Sequence, residues 1–207
     1  MGIELGHLQT LEPLGERLCL DFCNTVEREG EVIVQEWLTS YTNLVAWSQS
    51  TQILTAEQGD LLLQAATQQP AAAAEVFRTA IALRAALYEI FSAVAARQPV
   101  PSLATLNHQL VLALPHLQLQ TAPAGFAWSW AEPGLALDQM LWPVTCSAAE
   151  LLTSPDQSRI RECAAPDCGW LFLDLSRNRS RRWCDMETCG NRTKARRHYA
   201  RSKQAQD

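Results

Sequence analysis

Apolar positions recur every three or four residues through much of residues 1–158, which predicts a mainly helical segment. The clearest stripe is Val76, Ala80, Leu83, Leu87, Ile90 and Val94, on a helix that opens at Pro70 and ends before Pro99. Pro70 suits a first helical turn, where its missing N–H costs nothing. Before it, Thr55-Ala-Glu-Gln58 has the capping-box pattern and opens a helix running to about Gln69. Shorter amphipathic helices are predicted over Trp37–Trp47 and Leu103–Leu114, and a further one over Leu135–Leu152 with a break near Pro143. The period changes to two in Leu117-Gln-Leu-Gln120 and Phe126-Ala-Trp-Ser-Trp130. With Ala122-Pro-Ala-Gly125 between them, these strands predict a β-hairpin. Ser154-Pro155-Asp156 reads as a turn and as the boundary between a helical domain, 1–154, and a smaller one, 159–203.

One apolar segment carries polar residues that need partners. Asp21 and Asn24 sit among Leu18, Leu20, Phe22 and Cys23. Buried polar groups must be hydrogen-bonded, so the pair either fastens neighbouring loops, with Arg84 as a candidate partner, or lines a pocket for a small ligand.

Charge divides the chain at the same boundary. The formal charge of −5 splits into −11 over residues 1–158 and +6 over residues 159–207. The basic part is a candidate nucleic-acid contact. No apolar run in the sequence approaches the ~18 residues of a membrane helix, and the first residues lack the pattern of a secretory signal. The expectation is a cytoplasmic protein without a membrane partner. In that reducing setting seven cysteines point to metal or free thiols rather than disulfides. Cys19, Cys23 and Cys146 lie in apolar sequence and read as small buried hydrophobes.

The other four form two pairs, Cys163-x4-Cys168 and Cys184-x4-Cys189. Paired cysteines on two short knuckles supply the tetrahedral thiolate geometry that zinc prefers. An iron–sulfur cluster also takes four cysteines, but the symmetric double knuckle favours zinc. Four protein ligands close the site, so the expected cofactor is one structural Zn²⁺. Trp170–Leu175 reads as a strand, 177–180 as its turn and Arg181–Trp183 as a returning strand, followed by a helix from Gly190. Knuckle, β-hairpin and helix make a treble-clef-like zinc finger.

Cys189-Gly190-Asn191-Arg192 spells the signature of the CGNR zinc-finger family, which this segment resembles in the placement of all four cysteines. Leu20-Asp21-Phe22-Cys23-Asn24-Thr25 resembles the ABATE domain that precedes such fingers. The resemblance implies a stress-induced transcription regulator. Its finger would contact DNA through Arg181, Arg182, Arg192, Lys194, Arg196, Arg197 and Arg201. The helical domain would sense a small-molecule effector or assemble the chain, a homodimer being the simplest assembly. Two other readings remain open: a protein-interaction adaptor whose zinc is purely structural, and a small-ligand-binding protein using the N-terminal domain. An enzyme is not expected, since the sequence has no phosphate loop, nucleophile elbow or paired histidine–carboxylate motif.

Overall fold

A computed structural model describes residues 17–30, 32–123, 125–131 and 136–204. The helices are α1 (Leu18–Cys23), α2 (Tyr41–Ser50), α3 (Ala56–Gln68), α4 (Pro70–Ala96), α5 (Ala104–Ala113), α6 (Leu141–Thr153) and α7 (Asn191–Gln204). Three antiparallel two-stranded ribbons accompany them: β1 (Val26–Glu29) with β2 (Val32–Glu36), β3 (Leu117–Ala122) with β4 (Gly125–Trp130), and β5 (Ile160–Glu162) with β6 (Leu171–Leu173).

The start of α3 has the capping box in full: the Gln58 N–H donates to Thr55 Oγ1, and the Thr55 N–H to Gln58 Oε1. Pro70 opens α4. By length and apolar content α4 could cross a membrane, which the sequence reading did not anticipate. Here it is the central core helix: Ala80, Leu83, Leu87, Ile90 and Phe91 are fully buried against α1, α2, α3, α5 and β5.

Three local expectations change. The helix expected over Trp37–Trp47 begins at Tyr41, because Ser40 caps it by accepting the Asn43 N–H. Pro143 does not interrupt α6. It lies in the first turn, where its missing N–H leaves no carbonyl unpaired. The β1–β2 ribbon went unanticipated: its strands are rich in charge, and its only turn signal was Gly30, which adopts φ +60°.

The 154–156 turn is present as the start of a 3-10 segment, Pro155–Arg159. Packing continues across it. Ile160, Leu171 and Leu173 belong to the same hydrophobic core as α1, α4 and α6. A second, small core gathers Cys163, Ala165, Cys168, Phe172, Cys184 and Cys189, flanked by Trp170 and Trp183.

Candidate metal centre and basic surface

The first knuckle is the connection between β5 and β6. It leaves Glu162 with Cys163, turns through Gly169 and returns at Leu171. Gly169 adopts φ +70°, and a Cβ there would press on Tyr88 and Arg28, so glycine suits both backbone and space. The Arg28 N–H donates to the Cys168 carbonyl (3.3 Å), while the Arg28 guanidinium covers the Tyr88 ring at 4.6 Å. The knuckle therefore rests on β1 and α4.

The second knuckle is a π-helical turn, Met186–Gly190, whose start is capped by Asp185 accepting the Thr188 N–H and hydroxyl. These bonds hold the Asp185 carboxyl below its ordinary value. The turn runs directly into α7, and Thr193 donates back to the Cys189 carbonyl (2.7 Å). Cys189 thus sits at the head of α7, in the turn that leads into it.

All four sulfur atoms lie within 4.8 Å of one another, and all four residues are buried. Cys168 and Cys184 are 3.6 Å apart, as are Cys184 and Cys189. A tetrahedron with Zn–S bonds of about 2.3 Å has edges of about 3.8 Å, so the cluster fits one zinc ion. The thiols do not ionise equally without a cation. Hydrogen bonds from Cys168 and Cys184 draw Cys163 toward the thiolate, and the same contacts with Cys163 push Cys168 and Cys184 the other way. A dication removes that conflict by favouring four thiolates. Those ligands fill the tetrahedron and leave no position for water or substrate, which makes the zinc structural.

The expected return strand at Arg181–Trp183 is absent. β6 pairs with β5 instead; the Arg182 carbonyl accepts the Ala164 N–H (2.8 Å), and side chains meet other polar groups of the segment. The buried Asp174 carboxylate accepts the N–H groups of Ser176 and Arg181 and the Ser176 hydroxyl. Burial alone would raise its pKa, but these bonds hold it below its ordinary value. Arg181 donates to the carbonyls of Trp183 and Cys184 and lies over the Phe172 ring at 4.6 Å. Arg181, one of the basic residues singled out in the sequence, therefore braces the zinc core.

The remaining basic candidates divide. Arg192 Nε pairs with Asp167 (3.2 Å), and its Nη2 donates to the Cys189 sulfur (3.4 Å). Arg196 also pairs with Asp167 (3.0 Å). Arg182, Lys194 and Arg196 are exposed, as are Arg177 and Arg179 on the loop after β6. Arg197 and Arg201 lie on α7, but their side chains are outside the described residues. Asp167 was missed by sequence reasoning; its signal was an acid directly before a cysteine ligand and facing a basic helix.

The N-terminal polar residues Arg84 and Asn24 bond different partners. Arg84, 3% exposed, pairs bidentately with Glu36 and bonds Thr25; the carboxylate partner expected to be Asp21 is thus Glu36. Asp21 itself is half-buried rather than largely buried. Asn24 ends α1 and faces β6: its Nδ2 donates to the Leu171 carbonyl and its Oδ1 accepts the Leu171 N–H, both at 2.8 Å. Cys19 and Cys23 are buried and their thiols pushed far up by burial, Cys19 to about 12, so they act as apolar side chains. Cys146 is half-buried.

A mainly helical body joined to a closed four-thiolate centre and a basic helix defines a zinc-finger protein with a helical N-terminal domain. Residues 159–202 match the model of the CGNR zinc finger, and residues 16–155 match the ABATE model, described as a "Putative stress-induced transcription regulator". The chain belongs to the ABATE family, with a C-terminal CGNR zinc finger. No curated protein matches it.

Proposed function

We propose that the chain is a transcription regulator whose zinc finger contacts the phosphates of duplex DNA, while the helical domain senses an effector or assembles the chain. The observation that carries this reading is α7. From Asn191 to Gln204 it has six basic residues and no acidic one, and its first turn is fixed by a zinc ligand. Arg177, Arg179 and Arg182 expose further positive charge on the same module. Zinc is needed because the thiolate cluster, together with the Arg192 and Arg196 pairs to Asp167, ties the head of α7 to the first knuckle. The contribution is recognition rather than catalysis.

The test is a fluorescence anisotropy titration of duplex DNA with the zinc-loaded chain, near about 50 mM salt and above. Affinity should fall with salt with a logarithmic slope of about −0.9 for each phosphate neutralised. Changing Arg182 and Lys194 together to Ala should make the slope shallower by up to about two units and leave zinc in place. Absence of binding even at low salt would reject this reading in favour of the protein-interaction adaptor.

A further inference from the structure

We propose that the helical domain holds a binding cleft for a flat, positively charged organic ligand between α5, α6 and the β3–β4 ribbon. The cleft has a volume of about 410 Å³, within the range of small-molecule sites. One wall is aromatic. Trp130 and Trp128 stand on the same face of the ribbon, because they pair across it with Leu117 and Leu119. The opposite face of the ribbon carries Gln118, Gln120 and Ser129. Trp130 is braced against Trp142 (6.0 Å), whose ring stacks on His116 at 3.8 Å and 4°. Leu110 and Leu114 also line the cleft. Trp128 and Leu114 are 65% and 51% exposed, so the mouth is open to solvent.

Charge selects among ligands that would fit this shape. The residues that line the cleft include no Lys or Arg and one acid, Glu150. An anionic ligand would find no cation there to replace its lost water. A neutral one would gain apolar burial alone. A cation gains contact with two indoles as well as with Glu150, which lines the cleft one helical turn beyond Cys146. The Cys146 thiol is pushed up, first by burial and then by Glu150, and serves as apolar lining.

This cleft deepens the sensing role proposed above and rests on it for its regulatory meaning. Its test contains no DNA, so a failure here leaves DNA binding untouched. The zinc-loaded full chain is titrated with proflavine, a planar acridinium cation, followed by the dye's anisotropy. Neutral acridone and an anionic naphthalene sulfonate are the comparison dyes. Proflavine should bind about tenfold tighter than acridone, with the sulfonate weakest. Glu150→Gln should abolish the preference for the cation, and Ala149→Trp, which fills the cleft, should abolish binding of all three. Zinc content and melting temperature serve as the check that both variants fold. No binding of proflavine, equal affinity for cation and neutral dye, or proflavine binding that survives Ala149→Trp would each overturn the proposal. So would a dimer in sedimentation that covers Trp128, since that face would then belong to a second copy.

Discussion

Asn24 does at one position what a strand does over several: its side-chain amide offers the donor and acceptor of a peptide group to Leu171 of β6. Asn24→Leu removes both bonds and leaves a buried N–H and carbonyl unpaired. The cost should be about 3 kcal/mol, read from urea denaturation, with zinc content unchanged. Glu36 is the carboxylate on which the Arg84 charge depends. Glu36→Ala should therefore destabilise by about 3–5 kcal/mol, and the double variant Glu36→Leu, Arg84→Met should recover much of that loss, because it removes the stranded charge as well. Arg192 acts on the metal through its N–H bond to the Cys189 sulfur. Arg192→Ala should weaken zinc binding by about tenfold in competition with a chelator, while Lys194→Ala, which lacks that contact, should not.

Among the elements, the β5–β6 ribbon belongs to two structures at once. Its outer end carries the first zinc knuckle, and its strands are buried with α1 and α4. Among the described residues, the second knuckle and α7 have no comparable share in the helical core. Loss of zinc should therefore separate them. In Cys168→Ser, elemental analysis should find no stoichiometric zinc, and hydrogen exchange should become fast in residues 186–194. The Leu171 amide, held by Asn24, should stay protected. Fast exchange at Leu171 as well would show that zinc, rather than the helical core, holds the ribbon in place. Cys146→Ser, remote from the cluster, should retain its zinc.

At the scale of the whole molecule, truncation at the 154–156 turn should be costlier than removal of the metal. A fragment of residues 1–153 loses Ile160, Leu171 and Leu173, each buried to within 1%. Full burial of such side chains contributes about 1.5–3 kcal/mol apiece. The fragment should keep helical circular dichroism, since α2 to α5 need mainly each other. It should nevertheless melt at a lower temperature than zinc-free Cys168→Ser, and bind a hydrophobic dye at the exposed core. A fragment as stable as the full chain would mean that the ribbon is only a passenger on the helical domain.

Local signals in the sequence determined what depends on near neighbours. The capping box at Thr55, Pro70, the stripe of α4, the β3–β4 alternation and the four cysteines each act within a few turns of chain, so pattern alone located them. Charge patterning likewise marked the finger as basic, because composition survives any folding. Tertiary structure decided the partners. Whether Arg84 meets Asp21 or Glu36, or Arg181 meets phosphate or its own backbone, depends on which groups folding brings within hydrogen-bond reach, and one-dimensional spacing carries no such distance. Asn24 and Leu171 are 147 residues apart, and only the packing of α1 against β6 makes them a pair. The strand partner of β6 follows the same logic. Asp174 takes the N–H of Arg181 and Ala164 donates to the Arg182 carbonyl, so these groups of the returning segment bond away from β6, which pairs with β5.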